Sequence, residues 1–179
     1  MRASSVLRIE REEIEMTAAM TPRRTTEPFR EEHVAIKEHL RHMSQMIQSI
    51  PGGAPEVQKD SMTKLVEALK GHILPHAEWE EKVLYPVIDQ KTGGGKYAFT
   101  AAMRHEHRIV GRWIDQLACE SGKGNPDTEL FVRRADQLLG LILAHFEDEE
   151  EVLLPILDET MTPEEFEREI ASQGHPHGH

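Results

Sequence analysis

Apolar residues recur at intervals of three and four along four long stretches of this chain, the period of helices that bury one face. The first stripe runs Ile36, Leu40, Met43 and Ile47, and the third Met103, Val110, Ile114 and Leu117. The second runs Leu65, Ala68, Leu69, Ile73, Val83, Leu84 and Val87. The fourth runs Val132, Ala135, Leu138, Ile142, Val152, Leu153 and Ile156. Breaks fall at Pro51-Gly52-Gly53, Gly93-Gly94-Gly95 and Gly122-Lys123-Gly124. The spacing predicts helices over about 28–50, 55–91, 96–121 and 126–159, with Pro126 near the first turn of the last. Thr162-Pro163-Glu164-Glu165 predicts the capped start of a short helix over about 163–172. No strand alternation is present, so the expected fold is all-α: an up-down-up-down four-helix bundle over 28–172. It is flanked by a flexible N-terminal extension, 1–27, with some helix around 7–16, and by a disordered tail, 173–179.

Two of the stripes carry polar residues where apolar ones belong. His76 and Glu80 lie on the second stripe, and His145 and Glu149 on the fourth. Side chains four apart point the same way on a helix, so an imidazole and a carboxylate enter the core twice. The surrounding sequence is duplicated too. His76-Ala77-Glu78-Trp79-Glu80-Glu81-Lys82-Val83-Leu84-Tyr85-Pro86 matches His145-Phe146-Glu147-Asp148-Glu149-Glu150-Glu151-Val152-Leu153-Leu154-Pro155 as H-x-x-x-E-E-x-x-L-[YL]-P. Glu32-His33 and Glu106-His107 extend the repeat, with both His residues on their stripes. The order is therefore H, HxxxE, H, HxxxE. A buried carboxylate must be protonated, paired or metal-bound. Four imidazoles and two carboxylates facing inward suit a pair of transition ions, with two His per ion and both Glu bridging. A buried polar network without metal is the competing reading.

Other residues read less specifically. Glu81 and Glu150 rotate about 100° from the inward face and suit solvation or a hydrogen bond behind the ligands. His72 lies one turn before His76 and is a candidate extra ligand, hydrogen-bond partner or proton shuttle. His39, His42 and His105 point away from the inward faces and read as surface residues. Tyr85 and Tyr97 read as packing, with a redox neighbour as the alternative. Cys119 is expected to be buried rather than catalytic. Pro86 and Pro155, equivalent in the repeat, are expected to mark kinks or ends beyond the polar layer.

The doubled HxxxEExxLxP with its two further His residues resembles the hemerythrin-like (HHE cation-binding) family over roughly residues 28–160. The resemblance implies His33, His76, Glu80, His107, His145 and Glu149 as metal ligands. It also implies two Fe ions with an oxo or hydroxo bridge, Zn and Mn being alternatives. Oxygen-carrying hemerythrins show H-x-x-x-H on the third helix, but Met103 and Gly111 flank His107 here. The carboxylate after His145 comes four residues later rather than five. The resemblance therefore implies open coordination positions and reaction with dioxygen, peroxide or nitric oxide, in an oxidative-stress or iron/oxygen response. Two other readings stay open: iron-sulfur cluster repair under nitrosative stress, and a regulatory bundle that metal merely stabilises.

Composition narrows the setting. A net charge of -11 argues against nucleic acid, whose phosphates need clustered Lys and Arg. No apolar run approaches the roughly 18 to 20 residues that span a bilayer, and the N-terminus lacks an apolar signal core. The single cysteine excludes an internal disulfide and fits a reducing cytoplasm. The expected partner is a small diatomic or peroxide ligand; no protein partner is indicated.

Overall fold

The computed structural model describes residues 24–174. The expected helix around 7–16 and the tail 175–179 lie outside the described residues. Helix α1 (Glu27–Ser49) starts with proline in its first turn, where a missing N–H costs no bond. Helix α2 (Pro55–Trp79) also starts on proline and runs through Pro75. A wide π-turn (Glu80–Leu84) leads from α2 into α3 (Tyr85–Thr92). Three glycines with positive φ, Gly93, Gly94 and Gly95, then reverse the chain, a conformation that β-carbons disfavour.

Helix α4 (Phe99–Ser121) begins after a turn closed by Ala98 N–H to Gly95 O, three residues later than the spacing predicts. Helix α5 (Thr128–Asp148) begins after Asp127, whose carboxylate accepts from Leu130 N–H; Pro126 therefore stands outside the helix. A second π-turn (Glu149–Leu153) leads into α6 (Leu154–Thr160). Helix α7 (Pro163–Glu169) carries the capping box expected at Thr162 and Glu165.

The four long helices pack in a ring: α1 against α2 and α5, and α4 against the same two. Short connections make sequence neighbours antiparallel. The apolar interior comes in two blocks. One, from Ile36 to Phe146, fills the long end of the bundle with Leu40, Met62, Leu69, Ile114, Phe131 and Leu138. The other gathers Phe29, Trp79, Leu84, Tyr85, Ile88, Met103 and Leu153 under Phe166 and Ile170 of the C-terminal segment. Thr26 ties the start of α1 to this end: its N–H and hydroxyl donate to Asp158 at 2.9 and 3.1 Å.

Two details differ from the periodicity. Val152, expected on the inward stripe, is exposed, and Val83 is only half-buried. Leu84 and Leu153 are buried as their stripes predict, and Tyr85 and Leu154 face inward beside them. The cause is the π-turn, which adds a residue to the turn and rotates everything after it. Cys119, expected to be buried, is exposed. It stands two residues past Leu117, about 200° around the helix from that buried position.

Candidate metal centre

Between the two apolar blocks lies a layer of imidazoles and carboxylates. His33, His76, Glu80 and Glu149 each bring a ligating atom within 4.8 Å of the others, and Glu80, His107 and His145 form a second such group. Helix α1 carries His33, α2 carries His76, α4 carries His107 and α5 carries His145; the first residue of each π-turn is the carboxylate. All six sequence-predicted ligands thus meet in one place. Five are buried, and the His107 side chain is 8 % exposed.

The two carboxylates stand between the groups. Glu80 Oε1 is 2.7 Å from His76 Nε2 and 3.8 Å from His33 Nε2, while its Oε2 is 3.2 Å from His107 Nε2. Glu149 Oε2 is 3.5 Å from His33 Nε2 and 3.7 Å from His145 Nε2. These approaches lack hydrogen-bond angles. Among the described residues, His33 Nε2, both Glu80 oxygens and Glu149 Oε2 are buried without a hydrogen bond. Groups left this way cost roughly 1–3 kcal/mol each unless something else satisfies them.

Behind each imidazole stands another carboxylate. Glu150 faces His33 Nδ1 at 3.0 Å, and Glu81 faces His107 Nδ1 at 3.0 Å. Glu106 faces His145 Nδ1 at 2.9 Å, and Glu32 approaches His76 Nδ1 at 3.8 Å. The four pairs run around the ring, each acid on one helix holding the His of its neighbour. A proton on Nδ1 leaves the Nε2 lone pair pointing inward. His107 Nε2 and His145 Nε2 are 2.9 Å apart. A cation between such nitrogens and the orphaned oxygens satisfies all of them at once, so the residues fit a metal centre.

Glu81 and Glu150 stand behind the imidazoles, one of the two places their angular positions suggest. Glu32 and Glu106 do so too, which periodicity does not reveal although the Glu-His dipeptide is repeated. Tyr85 is more than packing: its hydroxyl donates to Glu149 Oε1 at 2.7 Å and lies 3.4 Å from His107 Nε2. His72 is absent from both groups; its ring stacks on His39. Phe29 and Phe146 wall the site, 4.5 and 4.6 Å from the His33 ring centre.

The electrostatics follow from burial against opposite charge. Burial acts to lower the His76 pKa, but Glu80, Glu32 and Glu149 outweigh it and raise it to about 10. Burial acts to raise Glu80, yet His76, His107 and His33 hold it well below the usual carboxylate range. Burial and the neighbouring Glu80 charge push Glu149 well above that range. Burial lowers His145, and His107 adds to the effect. Burial raises the Tyr85 phenol. Opposite shifts thus meet at the central carboxylate pair. Outside it, the bond to His33, with Lys37, lowers Glu150 to about 2.

Residues 24–157 match the hemerythrin HHE cation binding domain. The chain belongs to that family. Its two buried groups are consistent with the dimetal site typical of hemerythrin domains. This hemerythrin-domain chain is similar to the iron-sulfur cluster repair protein YtfE of Escherichia coli O157:H7. They are 23% identical over 139 residues, covering 69% of this chain and 63% of the relative. It is 26% identical to the protein of the same name from Edwardsiella ictaluri (strain 93-146) over 86 residues, covering 48% and 38%. The matched stretch spans less than two thirds of either relative. No solved structure matches significantly. No helix among the described residues is long and apolar enough to cross a membrane.

Proposed function

We propose that this chain is a non-haem di-iron protein that acts on a small oxidant: dioxygen, peroxide or nitric oxide. The supporting observation is the placement of Glu80, with one oxygen in each group of ligands, and of Glu149 between His33 and His145. Two iron ions bound there would supply Lewis acidity and a change of oxidation state. His33, His76, Glu80 and Glu149 would hold one ion; Glu80, His107 and His145 the other, with Glu80 and Glu149 bridging. With both carboxylates bridging, each ion would have four protein donors, two imidazoles and two carboxylates, which leaves the second ion, like the first, open to a small ligand. Tyr85 supplies a hydroxyl proton beside that opening, at Glu149 Oε1. The four outer carboxylates hold the imidazole protons on Nδ1 and fix the rings. Phe29 and Phe146 keep water away and strengthen every charge interaction inside. We place the protein in a reducing, cytoplasmic setting.

Elemental analysis and the visible spectrum before and after peroxide test this reading. Two iron ions per chain, a spectral change with peroxide, and sharply lower metal content in Glu80→Ala and Glu149→Ala are expected. Full occupancy in both variants would remove the bridging assignment. The names of the relatives favour a second reading, in which the iron serves iron-sulfur cluster repair. Iron delivery to a damaged iron-sulfur protein, with peroxide consumed no faster than by free iron, would favour it instead.

A further inference from the structure

The two halves of the bundle match around the centre but not just outside it. Counted from His33 and His107, His39 corresponds to Trp113; counted from His76 and His145, His72 corresponds to Leu141. Trp113 and Leu141 pack against the apolar core. An apolar pair therefore satisfies packing at these places. The first half puts two imidazoles there instead, one on α1 and one on α2, stacked with ring centres 4.3 Å apart and planes 15° apart. His39 is exposed and His72 half-buried.

We propose that His39 and His72 form an external two-histidine site for a divalent transition ion, through which metal reaches the interior centre. Imidazole nitrogen suits borderline ions such as Fe, Ni, Cu and Zn, at about 2.0–2.1 Å for zinc. Sharing an ion requires the stacked rings to rotate about their side-chain bonds until one nitrogen of each points at it, for which the exposed His39 has room, with water completing the shell. His72 stands one helical turn before His76, on the same side of α2. The interior donors are buried, so an incoming ion needs a partly exposed donor beside them, and His72 is placed as one. The passage rests on the reading of the interior groups as a metal centre; the external site does not.

Two measurements on the full chain test this, with His175, His177 and His179 changed to Ala in every sample so that the tail adds no donors. The first is the rate of Co2+ uptake by metal-free protein, followed by absorbance without oxygen. His39→Ala and His72→Ala are each expected to slow uptake several-fold while the end point stays at two ions per chain. Unchanged metal-free melting curves show that the variants fold; His39→Gln and His72→Gln give the same result where alanine disturbs folding. The second adds one equivalent of Cu2+ to loaded protein, frozen within seconds for electron paramagnetic resonance. A two-nitrogen copper signal, lost in either variant, is expected. Unchanged uptake rates overturn the passage, and a missing signal, or one that survives both substitutions, overturns the site. An unsubstituted end point without two ions overturns the interior-centre reading alone.

Discussion

An imidazole is a dependable ligand when its other nitrogen is already committed, and here an acid faces each one. Glu150, Glu81 and Glu106 hold the rings of His33, His107 and His145 through contacts of 3.0, 3.0 and 2.9 Å at Nδ1, and Glu32 approaches Nδ1 of His76 at 3.8 Å. Glu106→Ala and Glu150→Ala are therefore expected to weaken metal binding on the order of 10- to 100-fold each, in competition with a coloured chelator, although neither residue is a ligand. Affinities equal to the unsubstituted protein would contradict this role. The six inward residues were legible because the repeat places each on an apolar stripe. Glu32 and Glu106 were not, because each points sideways along its own helix and acts only on the next one. That relation exists in packing, not in periodicity. Cys119 was misplaced for a simpler reason: its apolar character suggested burial, while its angular position on α4 decides exposure.

The helices themselves were legible to within a few residues at most ends, yet the two π-turns were not. In each, the closing bond spans five residues: Tyr85 N–H to Glu80 O, and Leu154 N–H to Glu149 O. Prolines 86 and 155 follow directly, where a residue without N–H costs least. The sequence shows the proline and the repeat but not the extra residue in the turn, so the disturbance was expected beyond the polar layer. It begins at the carboxylates themselves. The wide turn lets Glu80 point to the centre while Glu81 reaches His107, and likewise for Glu149 and Glu150. The α4–α5 connection shows a different control. Glu120 is buried and accepts from Lys123 Nζ at 2.6 Å and from Asp127 N–H at 2.8 Å; the Lys123 bond, then the Asp127 bond, lower its pKa. A depressed folded pKa stabilises above the unfolded value and is lost as pH falls through the folded one. Glu120→Gln is thus expected to melt below the unsubstituted protein at neutral pH. The gap should close as pH drops below about 4.5. A gap that stays constant to low pH would rule this out.

At the scale of the molecule, family and architecture were legible from one repeat, while the division of the interior into two blocks was not. The stripes look continuous in sequence; only the assembled ring shows the polar layer cutting across all four helices between Phe146 and Tyr85. Metal should matter to the whole fold for this reason. An ion present at about a thousandfold excess over its Kd adds about 4 kcal/mol per site. For a chain of this length that is on the order of 10 °C in Tm for each ion, or about 20 °C for the proposed two. Chelated protein is expected to melt lower by about that much, and identical melting curves would separate the centre from folding. The split interior has one more consequence, which concerns motion. Without metal, the two blocks are joined across a seam of buried imidazoles and carboxylates. Amide hydrogens near Phe166, Met103 and Leu154 should then exchange with deuterium through partial openings that leave those near Leu69, Ile114 and Leu138 protected. With the seam filled, both sets should exchange at one common rate, because the bundle has become a single cooperative unit.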